Sequence, residues 1–235
     1  MNNPIGIFDS GIGGITILNE IRKLLPNENI IYYADSKNNP YGPKTDKELL
    51  KITNNIVNYL INKNCKIIVI ACNTATTRCI KSLRENYPNI SFIGTEPAIK
   101  LACDNNHKNI LVLATHATIN SISVQKLITN NKKENQTIYL QDSEGLANAI
   151  EMSNSELISK LLDEFLIPYQ NKNIDSIVLG CTHYPYVNKQ ISAYFNNATI
   201  YDSSIGVAKE TKRKLKELNL LNNSKEKGLV NIIKS

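Results

Sequence analysis

The amino-acid sequence predicts an α/β fold made of two similar units, each with a parallel sheet. Three observations support this prediction. Short β-rich runs alternate with amphipathic helical patterns along the 235 residues, several of these runs are continuously apolar, and the first half of the chain resembles the second. Alternating strands and helices are typical of parallel sheets that are covered by helices on both faces.

Eight strands are predicted in chain order. They cover residues 5–8, 30–34, 66–71, 91–94, 110–114, 137–140, 174–179 and 199–201. Several consist almost entirely of Ile, Val and Leu, which is typical of strands buried on both faces.

The segments between the strands carry helical periodicity. One apolar helical face is formed by Leu49, Thr53, Ile56, Val57, Leu60 and Ile61. Thr45 with Glu48 predicts a capping box before this helix, and Ser153 with Glu156 predicts another before a second amphipathic helix.

A weak internal duplication relates the two halves. The first predicted strand and its loop resemble the fifth, at an offset of 106 residues from Asp9 to Thr115. The third strand resembles the seventh, at an offset of 109 residues from Cys72 to Cys181. Near-equal offsets predict two similar units, each with one cysteine at the carboxyl end of a strand, where open α/β sheets bind ligands.

The expected organisation is two domains related by pseudo-two-fold symmetry, with the active site in the cleft between them. The first domain is predicted to span residues 1–94 together with 207–235, and the second to span residues 95–206. A Lys-rich C-terminal helix, in which Leu215, Leu218 and Leu221 are spaced to pack, is expected to close the first domain.

Composition excludes several classes of protein. The net charge of +6 comes from 27 basic and 21 acidic residues, and no nucleic-acid recognition motif accompanies it. The longest apolar run, residues 67–72, is far shorter than the roughly 20 residues of a membrane-spanning helix. The N-terminus lacks the basic region of a secretory signal, and five cysteines without a CxxC pair favour neither a disulfide framework nor a metal site. We therefore expect a cytoplasmic protein that binds neither nucleic acid nor membrane.

Cys72 and Cys181 are the strongest candidates for chemistry. Each closes an apolar strand and precedes a predicted helix, whose N-terminus favours the thiolate form. His183 follows Cys181 closely enough to orient its thiol or exchange a proton with it, and Pro185 fits the first helical turn. A single buried cysteine is more often a packing residue, but two in matching contexts favour function. The remaining cysteines are interpreted as packing residues: Cys65, Cys79 and Cys103.

A glycine-rich loop, residues 9–14, follows the first strand. Its glycine spacing fits neither a dinucleotide-binding nor a phosphate-binding motif, yet its backbone N–H groups could bind a carboxylate. Asp9 could serve there as an auxiliary base or hold an amino group, although a plain turn is also possible. Residues 39–43 have the composition of a turn. His116 is equally balanced between lining the site and not, and His107 is expected to be solvated.

Together the motifs resemble those of the glutamate racemases, within the aspartate/glutamate racemase superfamily. The matching segments are residues 9–14, 41–42, 71–75, 96–97 and 180–185, in the order that family has, and the resemblance covers residues 4 to about 206. It implies two α/β domains around one site and cofactor-independent interconversion of L- and D-glutamate for peptidoglycan precursors. By family habit it also implies a homodimer. Independently of the resemblance, no further ligand cluster accompanies Cys181 and His183, so no metal site is expected.

The resemblance assigns roles to residues of this chain. Cys72 and Cys181 would be the acid/base pair, assisted by Asp9 and His183. The implied substrate site is formed by Asp9, Ser10, Tyr41, Gly42, Asn73, Thr74, Thr115, Thr118, Thr182 and His183. Two departures concern the family pattern. Ser143-Glu144 stands where members often have Cys-Pro before a glutamate that matches Glu151, which leaves the role of Glu151 open. Some members have a long N-terminal extension linked to nucleotide activation, whereas the given sequence begins eight residues before Asp9, so that activation is not expected.

The expected chemistry follows from the acidity of the substrate. Without an electron sink, racemisation needs one base on each face of the α-carbon, and a thiolate and a thiol exchanging roles meet that need. By resemblance, Cys72 takes the proton from D-glutamate and Cys181 takes it from L-glutamate. Two alternatives stay open: a superfamily relative acting on aspartate or another small acid, although the 9–14 pattern favours glutamate, and a non-catalytic protein that binds a solute between two lobes.

Overall fold

The computed structural model describes residues 2–235, in which two separate sheets are formed. The strands are β1 Ile5–Asp9, β2 Ile30–Ala34, β3 Ile67–Ile70, β4 Phe92–Ile93, β5 Asn109–Ala114, β6 Thr137–Asp142, β7 Ser176–Leu179, β8 Thr199–Tyr201 and β9 Val230–Lys234. The helices are α1 Ile15–Leu24, α2 Asp46–Asn62, α3 Asn73–Asn86, α4 Ile99–Asp104, α5 His116–Ile119, α6 Ile122–Asn131, α7 Leu146–Glu151, α8 Ser155–Leu166, α9 Asn188–Ser192 and α10 Ser204–Glu217. Short 3₁₀ helices cover Ser36–Asn38, Ile167–Lys172 and Tyr184–Val187.

The chain divides into two compact units. The first contains the residues up to Thr95 together with Ser204–Ser235, and the second contains Glu96–Ser203. The first unit has a five-stranded sheet in the order β4-β3-β1-β2-β9, and the second has a four-stranded sheet in the order β6-β5-β7-β8. All strand pairs are parallel. The predicted class, two parallel-sheet α/β domains, is confirmed.

The two sheets share one topology. In the first unit β1 lies between β2 and β3, and β4 follows β3; in the second β5 lies between β6 and β7, and β8 follows β7. The four-stranded order is therefore the same in both units, and β9 is an addition to the first. The internal duplication in the sequence corresponds to this repeated arrangement.

Each sheet is covered by helices on both faces, which explains its continuously apolar strands. In the first unit one core joins alternate residues of β1 and β3 to α1 and α10, and the other joins the remaining residues to α2 and α3. The second unit has one core under α7 and α8 and another under α4 and α6. All four residues of β3 and of β7 are buried, as the sequence predicts for interior strands.

The capping box before α2 is confirmed. The Thr45 hydroxyl accepts the backbone N–H of Glu48, and the Glu48 carboxylate accepts the backbone N–H of Thr45. On the apolar face of α2, five of the six predicted residues are buried, and Ile61 is half-buried.

Three details of local structure differ from the sequence analysis. Asn154, not Ser153, caps α8, because Ser153 has a positive φ of 53° and the Asn154 side chain accepts the backbone N–H of Leu157. The C-terminal helix packs on α1 in the first unit, as expected, and both Leu215 and Leu221 join that core, but the helix ends at Glu217 and Leu218 is exposed. The sequence analysis also missed β9, which extends the first sheet next to β2.

Candidate active site

Asp9 lies at the carboxyl end of β1 and is fully buried. Its Oδ2 accepts the backbone N–H of Gly14 at 2.7 Å. The sequence analysis expected the N–H groups of this loop to bind a carboxylate of the ligand, but this one is hydrogen-bonded to Asp9. A Cβ atom at Gly14 would come within 2.9 Å of Ala71 Cβ and of the Tyr32 hydroxyl. Glycine is therefore required at this point for the loop to approach the sheet.

Cys72 lies one residue beyond the end of β3, after Ala71, and caps α3. Its side chain is 6% exposed, and Sγ accepts the backbone N–H of Ala75 at 3.5 Å. This confirms the expected position of the thiol at a helix N-terminus, where unpaired N–H groups and the helix dipole stabilise negative charge on sulfur.

Asn73 and Thr74, the first residues of α3, are buried beside the cysteine. Asn73 Nδ2 donates to the Thr95 carbonyl at 3.2 Å, and the Thr95 hydroxyl donates to the carbonyl of Ile70. Within residues 2–235, the buried Asn73 Oδ1 has no hydrogen-bond partner. An unsatisfied buried carbonyl is costly, so this atom can accept a hydrogen bond from a bound ligand.

Tyr41 and Gly42 lie in the loop before α2, and a buried carboxylate holds this loop. The Tyr41 hydroxyl donates to Asp35 Oδ2 at 2.7 Å, and Asn38 donates to the same carboxylate. Burial, with the adjacent Asp35 charge, raises the pKa of Tyr41 well above its ordinary value, so the phenol stays protonated. Sequence reasoning missed Asp35, which directly follows β2, one residue beyond the register position of Asp9 at the end of β1.

Neither the backbone conformation nor the neighbouring atoms require a glycine at position 42. Its φ lies outside the left-handed region, and a Cβ atom there would meet nothing within 4 Å. Space on this side of the loop is therefore available to a ligand that approaches the backbone closely.

In the second unit, Cys181 follows β7 and lies beside a pair of linked side chains. Cys181 Sγ is 3.9 Å from His183 Nδ1, and His183 Nε2 is 2.7 Å from Glu151 Oε2. His183 is 1% exposed, whereas Cys181 is half-buried. The sequence analysis left the role of Glu151 open, and the structure brings it to the histidine from 32 residues away.

The structure that follows Cys181 differs from the α-helix that the sequence predicts. A turn follows the cysteine, and only a four-residue 3₁₀ helix, Tyr184–Val187, comes next, with Pro185 in its first turn as expected. Cys181 therefore lacks the α-helix N-terminus that Cys72 has, because Thr182 and His183 form a turn before the short helix begins.

The threonines assigned to the second unit lie at the same edge of its sheet. Thr115 directly follows β5, and its hydroxyl is 3.0 Å from that of the buried Thr118. Thr182 is buried next to Cys181, and Ser10 is buried directly after β1. His116 is exposed and pairs with Asp142 at 2.7 Å.

The other cysteines are buried, as predicted for packing residues. Burial raises the pKa of Cys65 to about 12 and raises those of Cys79 and Cys103 above the ordinary range. His107 is not simply solvated, because its ring contacts the Tyr201 hydroxyl at 2.7 Å beyond the amino end of β5. Between residues 2 and 235, no three His, Cys, Asp or Glu side chains group so as to hold a metal ion, and no helix is long and apolar enough to cross a bilayer.

Comparison with known proteins gives one consistent result. The Asp/Glu/hydantoin racemase family matches residues 16–209. A glutamate racemase of Clostridium acetobutylicum is 41% identical over 100% of this chain and 92% of its own length, and one of Clostridium botulinum is 43% identical over the same shares. The crystal structure of a Francisella tularensis glutamate racemase in complex with D-glutamate has a TM-score of 0.84 and 32% identity, over 99% of this chain and 88% of that one.

The fold and the matches along its full length define an isomerase, an amino-acid racemase. The chain belongs to the Asp/Glu/hydantoin racemase family.

Proposed function

We propose that this chain is a glutamate racemase that interconverts L- and D-glutamate with Cys72 and Cys181 as its two acid/base groups. The observation that carries the proposal is that both thiols follow equivalent strands, β3 and β7, of two sheets with the same strand order. The full-length relatives named glutamate racemase, and the D-glutamate complex of one structural neighbour, support glutamate as the substrate.

In the proposed mechanism the α-proton leaves one face of the substrate and a different proton is added to the other face. Cys72 as thiolate takes the proton from D-glutamate while Cys181 as thiol donates one, and the roles reverse for L-glutamate. Each turnover leaves the thiols with exchanged protonation states, so no net proton is consumed. The chemistry requires the two sulfur atoms to face one α-carbon from opposite sides.

The surroundings of Cys72 support a base in the first unit. The Ala75 N–H and the N-terminus of α3 stabilise the Cys72 thiolate, and Asp9 is held at the adjacent strand end. We assign Asp9 to proton transfer at Cys72 or to the substrate ammonium group. The open acceptor of Asn73 supports a further polar contact with substrate, and the space beside the Gly42 Cα supports close approach of substrate to the loop.

The surroundings of Cys181 support a base in the second unit. A proton on His183 Nδ1 can be shared with the sulfur, while the hydrogen bond between His183 Nε2 and Glu151 fixes the orientation of the ring. We assign the remaining predicted side chains to substrate binding: Ser10, Tyr41, Thr74, Thr115, Thr118 and Thr182.

The proposal also covers the cellular role. D-glutamate would enter peptidoglycan precursors, the enzyme would act in the cytoplasm, and it would form a homodimer. The reaction as written uses no cofactor, since the two thiols and the polar groups around the substrate would share the stabilisation of the carbanion-like state.

Proton NMR of L-glutamate in D₂O tests the proposal. The purified chain, kept reduced and given no cofactor, should replace the α-proton by deuterium and produce D-glutamate, which circular dichroism detects separately. L-aspartate under the same conditions is the control. Exchange of aspartate alone would move the substrate to the nearer alternative, and no exchange of either amino acid by the folded, reduced protein would contradict the proposal.

A further inference from the structure

Arg78, on α3, binds the loop before α2 with its whole guanidinium group. Nη2 donates to the Lys44 carbonyl at 2.6 Å, and Nη1 lies 3.3 Å from the Gly42 carbonyl and 3.5 Å from that of Tyr41. Nε donates to Asp46 Oδ1 at 2.6 Å. One side chain thus contacts three backbone carbonyls of a single loop.

The hydrogen bonds from Arg78 to the carbonyls hold the loop in place more firmly than the ion pair with Asp46 does. The Arg78 side chain is only 15% exposed, whereas that of Asp46 is 82% exposed, so water screens the carboxylate. Pro40 and Pro43 supply no N–H groups to the loop. Within the loop the Lys44 N–H donates to the Tyr41 carbonyl at 3.3 Å, and Arg78 supplies donors to the carbonyls of Gly42 and Lys44. A planar guanidinium with five N–H groups can serve several carbonyls at once, which a lysine ammonium on a flexible stem does less well.

The same helix connects this loop to the thiol. Arg78 is six residues after Cys72, which corresponds to about 9 Å along α3. From the other side, Asp35 holds the Tyr41 hydroxyl. Arg78 therefore holds the Tyr41 and Gly42 backbone to the helix that Cys72 caps, and Asp35 holds the end of the Tyr41 side chain.

We propose that Arg78 is a positioning residue, which fixes the Tyr41–Gly42 backbone relative to Cys72 so that the loop meets the bound substrate in one geometry. This inference rests on the proposed function, because it takes Tyr41 and Gly42 as part of the substrate site. Arg78 itself acts through the loop and does not touch the reacting atoms.

Two substitutions and one matched control test the inference. Arg78→Met removes all donors, and Arg78→Lys keeps the charge and at most part of the hydrogen bonding. Arg84→Met is the control, since Arg84 lies on the same helix and, among residues 2–235, donates only to the Phe92 carbonyl, at 3.1 Å. Thermal unfolding of each variant establishes that it folds.

The first readout is amide hydrogen exchange of the peptide that covers residues 39–46, which does not depend on activity. We expect about tenfold faster exchange in Arg78→Met, the equivalent of losing one hydrogen bond to a charged donor, and an unchanged rate in Arg84→Met. The second readout is steady-state kinetics: KM should rise about tenfold for both glutamate enantiomers, with kcat within about twofold of the parent value. Arg78→Lys should lie between the parent and Arg78→Met.

The outcomes separate the possibilities. Unchanged amide exchange in Arg78→Met overturns the inference that Arg78 orders the loop. Faster exchange with unchanged KM overturns the positioning role. A loss of kcat at constant KM also overturns it, because the effect would then lie at the chemical step. If the parent protein exchanges no glutamate, the proposed function fails and the positioning role fails with it, while amide exchange still reports whether Arg78 orders the loop.

Discussion

The two strand ends that carry the cysteines differ in what stabilises the thiol. Cys72 caps the 14-residue helix α3, is almost fully buried, and accepts a backbone N–H. Cys181 is half-buried, is followed by a turn and a four-residue 3₁₀ helix, and has His183 and Glu151 beside it. Equivalent positions in two sheets of the same topology therefore have different local chemistry.

The difference shows how a duplicated framework can diverge at its functional positions. In the first unit the group that contacts the Cys72 sulfur is a backbone N–H, which substitution of a side chain does not remove, and Asp9 is the side chain assigned to assist it. The second unit uses two side chains, each of which can be replaced. We therefore expect the Cys181 side to be the more sensitive to substitutions around the thiol.

Replacement of the thiols themselves should have the largest effect. Cys72→Ser and Cys181→Ser should each lower racemisation about 10³-fold or more, because a hydroxyl is a far weaker base than a thiolate. Cys72→Ser should still exchange the α-proton of L-glutamate for deuterium, and Cys181→Ser that of D-glutamate. NMR of each enantiomer in D₂O measures this. Exchange of both enantiomers by either variant would contradict the two-base assignment, and Cys103→Ala is the control for loss of a buried thiol.

The His183–Glu151 pair should have the next largest effect. His183→Gln should lower kcat about 10²-fold, and Glu151→Gln about tenfold, because the latter leaves the imidazole in place but removes the charge that holds it. Since the two enantiomers of glutamate are equally stable, kcat/KM must fall equally in both directions. His107→Gln is the control, as His107 contacts Tyr201 away from both thiols along the chain. Full activity of His183→Gln would show that Cys181 needs no imidazole.

Much of the fold could be predicted because interior strands and helix caps have local signals. All eight predicted strands are present, since an apolar run buried on both faces is legible in the sequence. The missed strand β9 is at a sheet edge, and residues 231 and 232 in it are exposed. Its place beside β2 depends on the preceding segment, whose Leu220 carbonyl accepts Lys66 Nζ at 2.7 Å, while Lys66 pairs with the buried Glu28. Such a contact across 154 residues leaves no local pattern.

The residues of the candidate site also fall into two groups, those with a local signal in the sequence and those without one. The cysteines and Asp9 could be found because they follow apolar strands, whereas Asp35, Arg78 and Glu151 act through contacts with distant segments. Strand register also refines the duplication. Phe8 pairs with Ile70 and Leu113 with Leu179, so two residues further on Ser10 aligns with Cys72 as Thr115 does with Cys181. The equivalent of Thr115 is thus Ser10 and not Asp9, a one-residue shift that small polar loop residues could not reveal.

Thiol reactivity should give the smallest but most direct contrast between cysteines. At pH 8, iodoacetamide should modify the half-buried Cys181 in the folded protein, while Cys65, Cys79 and Cys103 react only after unfolding.

Burial raises the pKa of Cys65 to about 12, so its thiol stays protonated in the folded state at a pH where the unfolded thiol, with a pKa of about 8.5, begins to ionise. Because the unfolded state then binds fewer protons, stability should fall as the pH rises from about 8.5 towards 12, and Cys65→Ala should reduce that slope. Peptide mass mapping and urea unfolding at pH 8 and 10 measure both effects. Rapid modification of Cys65 in the folded chain would show that the interior thiols are as accessible as Cys181, and the contrast between packing and functional cysteines would be lost.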